Sequence, residues 1–257
     1  MKVHNVETPN AMQQRQVSYG GWLQPAWMWS CILGSLAATT LAAFVSVVIS
    51  AALAQYRSGP YEVAAVELVA MTAALEGGLI GYLQWRVLRR LFPTMTSGPW
   101  VGATMVAAAS GCVLSWLPTS FALTAALASR IGDHTPGPAV IVKVCLVTGA
   151  LVGVVWGVAQ YAVLRLHAHR AGSWIIASTT SWTISFIWLY LAAFWPDRTT
   201  SPLIHIGLGS LSGLILGSAL GLLQGHILAG LHSRLLVPSH PATDRTDQRR
   251  DTCRRTR

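Results

Sequence analysis

The chain has 257 residues, of which 53% are hydrophobic and only 11% are charged, and its formal net charge is +9. Soluble domains carry about 25% charged residues, so this composition excludes an ordinary soluble globule, and its apolar content excludes a disordered chain. The four cysteines lack the spacing of a metal site and three lie in apolar runs, which predicts reduced thiols. The sequence therefore indicates an integral membrane protein.

Six stretches are long and apolar enough to cross a bilayer, whose hydrocarbon core requires about 20 helical residues. They are residues 27–54, 63–83, 100–123, 139–164, 174–195 and 203–223. Residues 1–26 are polar and carry no cleavage signal, so we expect a cytoplasmic segment before a retained first helix. The third stretch continues apolar to Arg130, which predicts a kink at Pro118 and a short interfacial helix. Residues 237–257 are basic and are predicted to form a disordered cytoplasmic tail.

The distribution of basic residues predicts the orientation of these spans. If both termini lie on one side, that side holds fourteen of the 18 Lys and Arg residues, and the other side holds four. Cytoplasmic loops are enriched in Lys and Arg, so we expect both termini in the cytoplasm of a bacterium, with the chain in its inner membrane. The net positive charge is then a topology signal, and we expect no nucleic-acid partner.

One two-helix unit recurs three times along the chain, at about residues 27–91, 100–170 and 174–236. Each unit begins at a tryptophan, which we interpret as an interface anchor, and its second helix begins at a proline and ends in Gly-x-x-x-Gly-x-x-Gln. The pattern predicts an all-α bundle of six transmembrane helices, built from three parallel repeats with pseudo-threefold symmetry about the membrane normal. The matched residues are Trp27, Trp100 and Trp174; Pro60, Pro138 and Pro202; Gly77 and Gly81; Gly149, Gly153 and Gly157; Gly213, Gly217 and Gly221; and Gln84, Gln160 and Gln224.

The extended string Gly-x-x-x-Gly-x-x-Gln-Trp-x-x-Leu-Arg, followed by an aromatic-led helix, resembles a pattern in uncharacterised polytopic membrane proteins of bacteria. The resemblance covers residues 20–236 and implies a repeat architecture without implying an activity. The last unit departs most from the pattern, because Gly225 and His226 replace Trp-Arg and Ala229 replaces the final arginine.

The glycines of each unit fall on one narrow helical stripe, which predicts close helix packing in lipid. The glutamines lie on the same stripe. Their carboxamides are predicted to hold helices together, at about 1 kcal/mol or less each, and the alternative is a ring that forms a polar constriction.

Glu76 is the only acid deep within a span, about 12 Å from Gln84 along the helix. Intramembrane carboxylates often mark a cation or proton pathway. However, Val152 and Leu216 occupy the equivalent places in the other units, so a packing role is the competing interpretation.

Basic residues at the predicted cytoplasmic face are expected to contact anionic lipid headgroups. No motif of an enzyme, a metal site or a cofactor site is present, so we expect neither catalysis nor a bound metal, haem or other cofactor. The candidate lipid-contacting residues are Arg86, Arg89, Arg90, Arg165 and Arg170.

Two functions remain open at the level of sequence. The tight glycine stripes and the scarcity of polar groups within the spans favour a scaffold that packs against itself or another membrane protein. The alternative is a small-solute or ion permease or channel with a pathway near Glu76. The environment of Glu76 separates them, since a pathway requires this residue to face a water-accessible cavity, whereas a scaffold would surround it with packed side chains.

Overall fold

The computed structural model describes residues 9–53, 60–117, 138–168, 171–194 and 201–235. All the regular elements within these ranges are α-helices, which agrees with the predicted class. The expected kink at Pro118, the helix after it and the basic tail 237–257 lie outside the described residues. The helices are α1 (Pro9–Leu53), α2 (Pro60–Leu91), α3 (Ser97–Leu117), α4 (Pro138–Leu164), α5 (Ser173–Phe194) and α6 (Pro202–Leu235).

Five of these helices contain a segment long and apolar enough to cross a membrane, as far as the described residues go. The segments are Gly21–Ile49, Ser97–Ser115, Val142–Leu164, Ser173–Leu191 and Pro202–Leu231. Helix α2 has 32 residues and is not among these five helices. Bulky apolar side chains are exposed on the outside of all six helices, where lipid would solvate them. Examples, one from each helix, are Leu33, Leu75, Val106, Val147, Ile184 and Leu214.

The first helix begins earlier than the sequence indicated. Helix α1 starts at Pro9, within the predicted polar cytoplasmic segment of residues 1–26, and continues through Pro25 to Leu53. Its 45 residues extend about 68 Å, more than twice the roughly 30 Å hydrocarbon core. Hydropathy therefore located the apolar part of the helix and missed its continuation as a polar helix.

The described helices form a closed ring. Each helix packs against its neighbours in the chain, and α6 packs back against α1 in the most extensive of these interfaces. Neighbours run antiparallel, so the ring has two ends. The end that carries Gln84 and the arginines after it is called the arginine end, and the opposite end, where α2, α4 and α6 begin at prolines, is called the proline end.

Glycines set the closest approach between helices, and they face the helix that follows in the ring. A Cβ atom placed on Gly81 would lie 3.2 Å from the Cα atom of Val101 in α3. A Cβ on Gly157 would lie 2.8 Å from the Cα of Ile175 in α5. The last helix repeats this arrangement across the closure of the ring, where a Cβ on Gly221 would lie 2.8 Å from the Cα of Met28 in α1.

The three contacted residues have the same place in the sequence, because each comes directly after the tryptophan of its unit. In each of α2, α4 and α6, the glycine one turn closer to the proline end contacts the following helix at a matching position. Cβ atoms on Gly77, Gly153 and Gly217 would meet the Cα atoms of Met105, Thr179 and Ile32, each five residues after the tryptophan.

The tryptophans of the three units lie at the arginine end, but they do not face the membrane interface. Trp27, Trp100 and Trp174 are fully buried and pack against one another. The ring of Trp174 lies 5.4 Å from that of Trp27 and 6.0 Å from that of Trp100, both edge to face. Their interpretation as interface anchors is corrected to a central aromatic cluster, which we call the tryptophan triad.

Candidate functional site: a central cavity

The glutamines Gln84, Gln160 and Gln224, together called the glutamine layer, are fully buried at the arginine end. The side-chain Nε2 of Gln160 donates to Oε1 of Gln84 at 3.0 Å and lies 3.3 Å from Oγ1 of Thr104. Gln84 donates in turn to Sγ of Cys31 at 3.5 Å, and Gln224 donates to Oγ of Ser178 at 2.9 Å. Buried carboxamides thus link neighbouring helices, and the bond between Gln160 and Gln84 also joins α4 to α2 across the ring.

The tryptophan triad meets the glutamine layer through one indole. Nε1 of Trp174 donates to Oε1 of Gln160 at 3.0 Å. Nε1 of Trp27, Nε1 of Trp100 and Oε1 of Gln224 are buried without a hydrogen-bond partner among the described residues. Aromatic rings and carboxamides therefore fill the centre of the ring at the arginine end.

A cavity of about 430 Å³ occupies the centre of the ring on the proline side of the glutamine layer. All six described helices contribute to its wall, which is mostly apolar. One lining residue from each helix is Ala38, Glu76, Cys112, Val152, Trp182 and Leu216. Ile80 and Trp156, one turn before Gln84 and Gln160, separate it from the glutamine layer.

Glu76 lines this cavity. Its Oε1 atom is buried and has no hydrogen-bond partner among the described residues. No Lys, Arg or His belongs to the described cavity wall, so the carboxyl group has no cationic partner there. Val152 and Leu216, its equivalents in the other units, line the same cavity, which shows that this position in the unit points to the centre.

Aromatic side chains form the wall contributed by α4 and α5. The rings of Trp156 and Trp182 lie 5.0 Å apart with a tilt of 49°, and Phe186 and Tyr190 continue the wall along α5. The indole nitrogens of Trp156 and Trp182 are buried without a partner in the described parts of the chain. Sequence reasoning missed this wall. The available signal was two tryptophans in the middle of spans, away from the interfaces where tryptophan is usually enriched.

The arginines at the end of α2 are exposed outside the ring. The guanidinium of Arg89 lies 5.0 Å from the ring centre of Trp85, and that of Arg90 lies 5.3 Å from Trp22. Arg86 and Arg165 are also exposed, and Arg170 lies outside the described residues. Stacking on an indole leaves guanidinium N–H groups available to phosphate oxygens.

The structure thus joins Gln84 and Gln160 by a hydrogen bond, buries Gln224 and places Glu76 in a cavity. The described arginines among the predicted lipid contacts are exposed, and these are Arg86, Arg89, Arg90 and Arg165. Among the described residues, no three His, Cys, Asp or Glu side chains come close enough to hold a metal ion. No protein-family model, no curated protein and no solved structure matches the chain.

Proposed function

We propose that this protein is a membrane permease or channel that takes a small solute into the central cavity, with Glu76 as part of the pathway. The observation that carries the proposal is the position of Glu76 in the wall of a cavity to which all described helices contribute. An acid that serves only for packing would be surrounded by side chains and hydrogen-bonded. Oε1 of Glu76 instead lacks a partner within the described residues.

The proposal takes α2 as a sixth membrane span. Helix α2 packs between α1 and α3 and runs antiparallel to both. If those two helices cross the bilayer, α2 crosses with them, and its acid then faces the cavity rather than lipid. Its arginines lie in the last turns, where long side chains reach the headgroups.

We also propose that the three units are related by a pseudo-threefold axis along the membrane normal. The matched glycine contacts support it, since each glycine meets the residue that follows the tryptophan of the next unit in the ring. The hydrogen bonds of the glutamine layer support it as well. Each glutamine donates to the residue four places after the tryptophan of its own unit, and these residues are Cys31, Thr104 and Ser178.

The arginine end is proposed to face the cytoplasm of a bacterium, with both termini on that side of the inner membrane. The excess of basic residues in its connections supports this orientation. The cavity then lies in the outer half of the bundle, and the tryptophan triad with the glutamine layer closes its inner end. Transport would require these two layers to separate.

A scaffold remains the alternative function, and the buried hydrogen bonds of the glutamine layer are compatible with it. A scaffold, however, has no need of an apolar cavity that contains a single carboxyl group. The cavity and Glu76 therefore shift the preference to solute binding.

The reactivity of Cys112 tests the proposal, because this thiol lines the cavity. A protein in which Cys31, Cys145 and Cys253 are replaced by serine retains it as the only thiol. We expect a small water-soluble methanethiosulfonate to modify Cys112 in membranes. The matched control retains only Cys145, which is buried and outside the cavity wall, and it is expected to remain unmodified. If the methanethiosulfonate modifies an exposed cysteine but does not modify Cys112 under the same conditions, the result would favour the scaffold over the permease or channel.

A further inference from the structure

We propose that the cavity binds an organic cation with an apolar body, whose charged group pairs with the carboxylate of Glu76 while its body packs on the aromatic wall of α4 and α5. This inference rests on the proposed function and specifies its solute.

The first step concerns the charge of the solute. A buried carboxylate is stable only when a cation pairs with it or a proton neutralises it. Glu76 is the only charged residue in the described cavity wall, and no basic side chain lines the cavity with it. Neutralisation must therefore come from outside the chain, either as a proton or as a cationic solute that displaces the proton. A cationic solute supplies it, and an anionic solute would be repelled.

The second step separates an organic cation from a metal ion. Hard cations such as Ca²⁺ take six to eight oxygen ligands. Glu76 supplies the only carboxylate in the described wall. The other side-chain oxygens of the described wall are hydroxyl groups, Thr39 and Thr72 among them, whereas Ca²⁺ in proteins takes carboxylate and carbonyl oxygens. The remaining wall is mostly apolar, so it cannot replace the hydration shell of a small inorganic ion.

The third step concerns the body of the solute. Aromatic faces attract cations, with energies that rise when water is excluded, and they also bury apolar groups. Trp156, Trp182 and Phe186 provide such faces on the side of the cavity formed by α4 and α5, whereas Glu76 belongs to α2. A solute with a positive group attached to an aromatic or aliphatic body would contact both. The volume of about 430 Å³ lies in the range of roughly 300–1,000 Å³ typical of small-molecule pockets.

Three probes with one benzyl body and a tetrahedral head test the charge preference on the unmodified protein. Benzyltrimethylammonium is the cation, benzyldimethylphosphine oxide is neutral and phenylmethanesulfonate is the anion. In titration calorimetry of the protein in lipid nanodiscs, we expect the cation to bind at least tenfold more tightly than the other two. The neutral probe and the anionic probe carry oxygen atoms that accept hydrogen bonds. The unpartnered indole N–H groups of Trp156 and Trp182 would favour these two probes over the cation. Equal or tighter binding of either one would overturn the proposal, as would the absence of cation binding.

A pair of variants then locates the site. Glu76→Gln keeps the shape of the side chain and removes its charge, so we expect the affinity for benzyltrimethylammonium to fall at least tenfold. Glu67→Gln removes the same charge from an exposed position nine residues earlier in α2 and should leave the affinity unchanged. An unchanged affinity in a folded Glu76→Gln protein would refute the role of this carboxylate. If Cys112 reacts with the thiol reagent but the cation does not bind, the solute class is wrong and the solute pathway stands. If Cys112 is protected, the pathway itself fails.

Discussion

Gln160 donates a hydrogen bond of 3.0 Å to Gln84, a residue 76 positions earlier that holds the same place in the preceding unit. A repeated residue thus contacts its own counterpart. The contact brings α2 and α4 together, although the two helices are not neighbours in the ring, so the bond crosses the centre of the bundle. The energetic roles of the three glutamines should differ, because their hydrogen bonds differ.

Replacing Gln160 by leucine should cost more than the same change at Gln224. Gln160→Leu removes the bonds to Gln84 and Thr104 and leaves the indole N–H of Trp174 without its acceptor. At about 0.6 kcal/mol for an average interhelical bond, we expect a loss of about 2 kcal/mol, above the value of about 1 kcal/mol predicted from sequence. Gln224→Leu removes one bond, to Ser178, and should cost about 1 kcal/mol or less. Equilibrium unfolding in mixed micelles measures both, and equal losses would contradict the assignment.

Two indole N–H groups of the tryptophan triad differ in whether they have a hydrogen-bond acceptor, and replacement by phenylalanine compares them. Trp174→Phe retains an aromatic ring but removes the donor to Gln160, so we expect a loss of about 1 kcal/mol in the same unfolding measurement. The matched variant is Trp100→Phe, whose Nε1 has no partner among the described residues and whose replacement should cost less. A larger loss for Trp100→Phe would show that its N–H has a partner in the membrane.

Two glycines in apolar helices should respond in opposite directions to alanine. A Cβ at Gly153 would lie 2.5 Å from the Cα of Thr179, so Gly153→Ala must push α4 and α5 apart and should destabilise the protein by about 1 to 3 kcal/mol. A Cβ at Gly207 would meet no described atom within 4 Å. Gly207→Ala should therefore be neutral or stabilise α6 by up to about 1 kcal/mol, since alanine favours helices. Tolerance of Gly153→Ala would mean that the stripe does not limit the approach of the helices.

Labelling of single cysteines tests the proposed orientation. Thr96 and Gly172 are exposed in connections at the arginine end, and Ser201 is exposed at the proline end. In a background without native cysteines, Ser201→Cys should react with an impermeant reagent added outside intact cells. Thr96→Cys and Gly172→Cys should react only after the membrane is permeabilised. The reverse pattern would contradict the orientation inferred from the basic residues.

Periodic features of the sequence predicted the helical class well, because glycine stripes, prolines at helix starts and long apolar runs are local signals. The burial of Trp27 was not predicted. The sequence placed the residue at a helix start, where an indole commonly faces the headgroups, but the direction of its side chain depends on how the helices rotate within the ring. The polar residues before Trp27 also concealed the first turns of α1, since hydropathy detects membrane spans and not helices as such.

The environment of Glu76 could not be predicted for a related reason. Glu76 precedes Gly77 by one residue, which places it about 100° from the glycine stripe on an α-helix. An offset of that size points either to lipid or to the centre of the bundle. The distinction depends on which neighbour the glycines face. In the structure they face the following helix, α3, and this turns Glu76 toward the cavity.

The closure of the ring by α1 and α6 has a consequence for biogenesis. Helices enter the membrane in the order of synthesis. The most extensive interface of α1 is with α6, so this face of α1 remains exposed to lipid until α6 is made. During that interval the hydroxyl of Thr40 keeps the bond to its own helix, at Leu36, but lacks the contact of 2.8 Å with Ser210. A chain truncated before Pro202 would leave this face of α1 uncovered permanently. The interface between α1 and α6 therefore distinguishes a complete chain from one truncated before Pro202, and membrane quality control has this single feature to recognise.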